Sequence, residues 1–128
     1  MLDCGFTLKE LTRRLCRAHV EGAALSAIIV THEHGDHVRG VAAAARKFKL
    51  PVWMTHGTLK AAEALCGNLP DVRVFSAHES FAIGALEVRP FPVPHDAREP
   101  SQFTFSDGAC RLGVLTDTGS STRHIEDN

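Results

Sequence analysis

Four side chains able to bind metals fall within six consecutive residues, His32-Glu33-His34-Gly35-Asp36-His37. They are His32, His34, Asp36 and His37. Imidazole and carboxylate together are typical donors for zinc or manganese. His32 and His34 are two residues apart, so an extended segment would project both from one side. Asp36 and His37 follow the bend at Gly35 and would point to a neighbouring position. The spacing therefore suits two adjacent metal ions better than one. It is not the H-E-x-x-H helix of zinc proteases, because the third residue after Glu33 is Asp36.

Two further ligands are expected from distant parts of the chain. His95 follows Pro94 at the end of an extended run. Asp117 follows Val114-Leu115-Thr116, also at a strand end. Strand ends on one edge of a sheet converge, so both can reach one site. Taken alone, His95 would be an ordinary loop histidine and Asp117 a turn or helix cap. The first motif makes ligand candidates of both. Glu33 is expected to face away or support its loop, and Asp96 and Glu99 to flank His95 as supporting or loop-fixing groups.

The elements that must position these residues alternate along the chain. Thr7-Leu8-Lys9-Glu10 reads as a capping box, opening a helix with Leu8, Leu11, Leu15 and Val20 on one side. Residues 26–31 form a short, β-branched, apolar run that reads as a buried strand. An alanine-rich helix is predicted over 37–49, a strand over 51–54, and a helix from Gly57 or Thr58 to about Cys66. A third strand covers 72–75, and a hairpin folds around Gly84. Residues 91–94 read as a proline-broken edge or loop approach. Asp107-Gly108 marks a second hairpin. Strands alternating with helices, followed by hairpins, indicate an α/β layered fold with a mixed sheet.

Composition narrows the class. The 128 residues fit one domain, with 44% hydrophobic and 23% charged residues. Fourteen Lys+Arg against fifteen Asp+Glu exclude a strongly basic nucleic-acid coat, though not a local basic patch. Four cysteines without a C-x-x-C pair argue for reduced thiols and against a zinc ribbon. No apolar run approaches the roughly 20 residues that span a membrane, and the first residues lack the features of a secretion signal. A cytoplasmic location without membrane association is expected. Leu2-Asp3-Cys4-Gly5 reads like the exit of a strand whose partners should precede it, and the chain stops soon after Gly119. The sequence therefore reads as a fragment, with sheet edges open to oligomerisation.

Together these motifs resemble the metallo-β-lactamase superfamily of hydrolases. The H-x-H-x-D-H run at 32–37, His95 and Asp117 match its second, third and fourth motifs in order, and Asp3 matches its first aspartate. The segments Pro94-His95-Asp96-Ala97-Arg98-Glu99-Pro100 and Leu115-Thr116-Asp117-Thr118-Gly119 are most similar to the branch called YycJ or WalJ, described as DNA-processing exonucleases. The resemblance covers nearly the whole chain. It implies an αββα sandwich, here incomplete, with the N-terminal strands and the C-terminal part missing.

The resemblance also implies roles. His32, His34 and His95 would hold a first metal ion, Asp36 and His37 a second, and Asp117 would bridge both. The ions would be zinc foremost, with manganese or iron as alternatives. Ions about 3.5–4 Å apart can share a hydroxide that attacks phosphorus or a carbonyl carbon. Asp36 could also accept a proton or orient that nucleophile. Asp3 would hold a ligand imidazole by its far N–H. The family's final histidine has no match, since His124 follows Asp117 too closely. The expected activity is that of a two-metal phosphodiesterase or nuclease acting on nucleic acid or another phosphodiester. The alternatives are hydrolysis of a thioester, lactone or β-lactam on the same metals, and an inactive metal-binding fragment.

Overall fold

Ile28 and Ile29 show how the molecule is layered. A computed structural model describes residues 1–128. In it the two isoleucines form strand β1 (Ile28–Ile29), and both are buried. Successive strand side chains point to opposite faces. Ile28 therefore joins a helix-side core with Leu11, Val41, Ala44, Ala45, Val52, Met54 and Ala62. Ile29 joins a second core with Phe75, Val88 and Phe103 on the other face. Strand β2 (Val52–Met54) repeats the pattern, with Val52 and Met54 on the helix side and Trp53 against the second core. Apolar side chains on both faces account for the unbroken hydrophobic run of β1, as expected for parallel strands.

β1, β2 and β3 (Val72–Val74) make one parallel sheet in that order, with Ile28 opposite Val52 and Val52 opposite Val72. Helix α1 (Leu8–Arg17) precedes β1, the short α2 (Gly35–Val38) and α3 (Val41–Phe48) link β1 to β2, and α4 (His56–Cys66) links β2 to β3. A second, antiparallel sheet contains β4 (Phe81–Ile83), β5 (Leu86–Pro92), β6 (Ser101–Ser106) and β7 (Arg111–Val114) in chain order. A four-residue helix, α5 (Arg123–Glu126), follows. The sheets meet through aromatic rings: Trp53 stacks on Phe81 at 4.5 Å, and Phe75 meets Phe103 edge-on at 5.6 Å. Burying an aromatic side chain as fully as Phe103, which is 0% exposed, contributes about 1.5–3 kcal/mol. No helix is long and apolar enough to cross a membrane.

Several expectations need correction. The mixed sheet read from the pattern of elements is two sheets, one parallel and one antiparallel, as the αββα sandwich of the resemblance implies. The helix predicted over 37–49 breaks at Arg39–Gly40 into α2 and α3. Gly40 packs against the Phe6 carbonyl and Cys4, where a Cβ would overlap them, and its N–H donates to the Cys4 carbonyl. The capping box is half made. Thr7 accepts the Glu10 N–H, but the Glu10 carboxylate turns to Arg13 and Arg14, at 2.7 and 2.8 Å. α1 ends at Arg17, so Val20 lies beyond it and is exposed. α4 begins at His56, capped by Thr55, whose Oγ1 accepts the Thr58 N–H. The proline-rich run belongs to β5 as far as Pro92. It is tolerated because β4 pairs only Leu86–Val88, leaving residues 89–92 bonded to β6 alone.

Candidate metal centre

The H-x-H-x-D-H segment leaves β1 at the carboxyl end of the parallel sheet, where ligands of α/β folds commonly gather. Thr31 and His32 are buried. His34 is still extended (φ −61°, ψ 145°), and Gly35 then opens one helical turn. The backbone thus switches from extended to helical between the two pairs of candidate ligands. His32 and His34 project from extended chain, whereas Asp36 and His37 stand on α2.

The other candidates arrive from the second sheet. His95 sits in the loop between β5 and β6, and Asp117 follows β7. Ser101 N–H to the Thr31 carbonyl (3.0 Å) ties the His95 loop to the metal segment, Gly119 N–H to the Pro94 carbonyl (2.6 Å) ties the two loops together, and Cys4 N–H to the His37 carbonyl (2.7 Å) ties the Asp3 segment to α2.

Three imidazole nitrogens face one point. His32 Nε2 and His34 Nδ1 are 3.0 Å apart, and His95 Nε2 is 3.2 Å from the first and 3.3 Å from the second. Nitrogens on a tetrahedral zinc with bonds of about 2.0–2.1 Å are themselves spaced about 3.3 Å apart. The triangle therefore fits a zinc-sized ion. A second group, His32, His37 and Asp117, has ligand atoms within 4.8 Å of one another, as does the first. His37 Nε2 is 3.2 Å from Asp117 Oδ2. Asp36 lies outside both groups, 82% exposed, with its carboxylate 3.6 Å from His37 Nε2.

The nitrogen of each ring that faces away from the centre is fastened. Asp3 Oδ1 accepts the Thr31 N–H, and Asp3 Oδ2 accepts both the Thr31 hydroxyl and His37 Nδ1–H, all at 2.8 Å. Thr31 Oγ1 then accepts His32 Nδ1–H at 2.9 Å, leaving the Nε2 lone pair directed inward. His34 Nε2–H donates to the Asp96 carbonyl at 3.2 Å, and His95 Nδ1 lies 3.2 Å from Asp96 Oδ1. Such outer partners set both tautomer and ring orientation.

Proton affinities diverge accordingly. Burial pushes His32 down to about 4, the adjacent His37, His34 and His95 rings add to this, and Asp3 opposes it. His37 is pushed up, first by its hydrogen bond to Asp3, against burial and with help from the charges of Asp3, Asp36 and Asp117. A neutral imidazole is the form that binds metal.

The residues expected to bind or support metal therefore gather here: His32, His34, His37, His95 and Asp117 make up the two ligand groups, Asp36 stands at the mouth, and Asp3 lies behind them. Thr31 and Gln102 gave no sequence signal. Gln102, 1% exposed, donates Nε2–H to Thr116 Oγ1 (3.1 Å) and the Asp117 carbonyl (3.4 Å), while its Oε1 accepts the Thr116 N–H (3.3 Å). The β6–β7 ladder stops at Val114. The Gln102 side chain acts as a surrogate peptide group that carries the pairing on to Asp117. Glu33 and Glu99 both fix the His95 loop. Glu33 Oε1 accepts the Arg98 N–H at 2.7 Å, and Glu99 Oε2 accepts the Gly57 N–H at 2.6 Å.

The family model described as "Beta-lactamase superfamily domain" matches residues 1–128. The chain is 37% identical over 121 residues to exodeoxyribonuclease YycJ of Bacillus anthracis, covering 93% of this chain and 46% of that protein. It is 30% identical over 123 residues to exodeoxyribonuclease WalJ of Streptococcus pneumoniae serotype 2, with the same coverage of 93% and 46%. A hydroxyacylglutathione hydrolase of Rhodopseudomonas palustris (strain HaA2) is 34% identical over 88 residues, covering 68% of this chain and 32% of that protein. Among solved structures, a B3 metallo-β-lactamase with an active-site glutamic acid superposes with a TM-score of 0.71 at 15% identity, over 96% of this chain and 55% of that one. The metallo-β-lactamase-fold protein YhfI of Bacillus subtilis gives 0.67 at 18% identity, over 86% and 47%. The chain thus spans about half the length of the curated exodeoxyribonucleases it matches (46%). With a family match along its whole length and the fold of the solved metallo-β-lactamases, the chain belongs to the metallo-β-lactamase superfamily of hydrolases.

Proposed function

We propose that this chain carries the metal centre of a metal-dependent phosphodiesterase of the DNA-exonuclease kind. The observation that carries the reading is the convergence of two ligand groups on a shared His32, in a chain 37% identical to an exodeoxyribonuclease over 93% of its length. His32, His34 and His95 would hold one ion. His37 and Asp117 would hold a second, with Asp36, 3.6 Å from His37 Nε2 at the mouth, reaching in to join them. Zinc suits the nitrogen triangle best, and manganese or iron suits the same donor types. Bound divalent ions would supply Lewis acidity toward a phosphate and lower the pKa of water.

The chain's own residues supply the rest. Thr31 and Asp3 hold His32 and His37 in the tautomers that present Nε2. The low proton affinity of His32 keeps its ring neutral at neutral pH. Asp36, exposed at the mouth, is placed to accept a proton or orient an attacking water. A cytoplasmic setting fits the four unpaired cysteines, two of them exposed. A thioester hydrolase is the second reading, favoured by the 34% identity to a hydroxyacylglutathione hydrolase. That match covers less of the chain.

The test begins with elemental analysis of the purified chain beside the His34→Ala/His95→Ala double variant. One or more equivalents of zinc or manganese, lost in the variant, are expected. The loaded chain is then offered bis(p-nitrophenyl) phosphate, linear duplex DNA and a hydroxyacyl thioester of glutathione. Cleavage of the first two without the third supports the phosphodiesterase. Thioester turnover alone replaces it with the second reading. Metal binding without turnover of any substrate leaves a binding domain and overturns both for the chain by itself.

A further inference from the structure

The His95 loop is anchored at its far end. Glu99 accepts the Gly57 N–H through Oε2, and its carbonyl accepts the Thr55 hydroxyl at 3.1 Å. Ser101 pairs with Thr31 just beyond. Nearer His95, the loop is held by the two residues that follow His32. His34 meets the Asp96 carbonyl, and Glu33 Oε1 accepts the Arg98 N–H at 2.7 Å. Glu33 thus joins two segments separated by 65 positions in sequence. Its other oxygen, Oε2, is buried without a hydrogen-bond partner. A carboxylate oxygen covered without a partner is a costly feature in an ordinary polar loop.

We propose that Glu33 is a positioning residue for the metal centre: by gripping the Arg98 N–H it sets how far the His95 ring stands from His32 and His34. The inference rests on the reading that those three histidines hold a metal ion. Side-chain reach is decisive. A carboxylate or amide at the Glu length spans the gap, and one methylene fewer does not. His95 comes from the second sheet and His32 from the first. A slack loop would open the triangle of nitrogens, now 3.0–3.3 Å on a side, and loosen the ion.

Glu33→Gln and Glu33→Asp separate reach from charge. Gln keeps the length and an acceptor oxygen while losing the charge; Asp keeps the charge and loses the length. Cobalt(II) titration of the metal-free 128-residue chain, read by visible absorption, gives affinity and coordination geometry independently of turnover. Glu33→Gln should bind within about threefold of the parent. Glu33→Asp should bind about 10- to 100-fold more weakly, as expected when a ligand loses its outer partner, with a changed visible band. Thermal melts of the metal-free variants check that both fold. Equal, parent-like binding by both variants overturns the proposal. Tight binding by Asp with weak binding by Gln also overturns it, by showing that charge matters and reach does not. If the parent chain binds no cobalt, the metal-centre reading itself fails, a result distinct from either of these.

Discussion

Asp3 and His37 are joined by a hydrogen bond of 2.8 Å, from His37 Nδ1–H to Asp3 Oδ2, with both side chains nearly buried at 14% and 13% exposure. The carboxylate also takes the Thr31 N–H and hydroxyl, so one side chain orients two rings of the centre. Asp3 lies in the left-handed region (φ +54°), which asparagine tolerates well. Asp3→Asn therefore tests the charge without straining the backbone. Affinity for zinc should fall about 10- to 100-fold, measured by competition with a chromophoric chelator. Unchanged affinity would show that His37 is oriented by other means.

The metal-free chain should be most stable near the ordinary histidine pKa of about 6.5. His32 is pushed down to about 4, so its contribution is in place above about 6.5 and is lost as the pH falls toward 4. His37 is pushed up, so its contribution is in place below about 6.5 and is lost as the pH rises through its raised value. Urea midpoints across this range, measured with chelator present, should decline on both sides. Asp3→Asn should flatten the alkaline side and spare the acid side. A profile that rises steadily with pH would contradict the assignment of His37.

Replacing Gln102 with leucine removes the surrogate peptide group beside Asp117. The Thr116 N–H and the Asp117 carbonyl lose their partner, at a cost of about 1–3 kcal/mol. Urea denaturation reads that loss. Cobalt(II) titration read by visible absorption should show the His32, His37 and Asp117 group weakened more than the His32, His34 and His95 group. Equal loss at both would mean that Gln102 supports the sheet and not the ligand.

Gly5→Ala tests the contact between the Asp3 segment and the metal loop. A Cβ at Gly5 would overlap the Asp36 carbonyl, a backbone group that cannot rotate away. Separation of the two segments should cost about 1–3 kcal/mol and disturb the neighbouring Cys4–His37 backbone bond. Gly67→Ala provides a contrast. Its Cβ meets open space, and the penalty there is backbone strain at φ +56°. A metal affinity lowered by Gly5→Ala and spared by Gly67→Ala is expected. Equal effects would remove the Gly5 contact from the account.

Much of the centre was legible because its chemistry is local. Four candidate ligands within six residues, directly after a β-branched run, point to a strand-end metal loop whatever surrounds them. His95 and Asp117 were legible in a weaker sense, as polar residues at the ends of extended runs. Their meeting depends on how the second sheet packs on the first, through Trp53, Phe81 and Phe103. The break at Gly40 and the extent of β5 through its prolines escape a sequence reading for one reason. Each is decided by what lies beside it in space: the Phe6 carbonyl in the first case, the short reach of β4 in the second.

The sequence by itself determined the donor set, the order of the motifs and the alternation of strands and helices, because these depend on residue type and on spacings of two to four positions. Tertiary structure alone decided how the two sheets pack, the spacing of the three imidazole nitrogens, the supporting parts of Thr31 and Gln102, and which backbone group Glu33 holds. Those residues act through hydrogen bonds between segments far apart in the chain. A buried glutamine or threonine in a strand has no pattern that distinguishes it until its partner is folded against it.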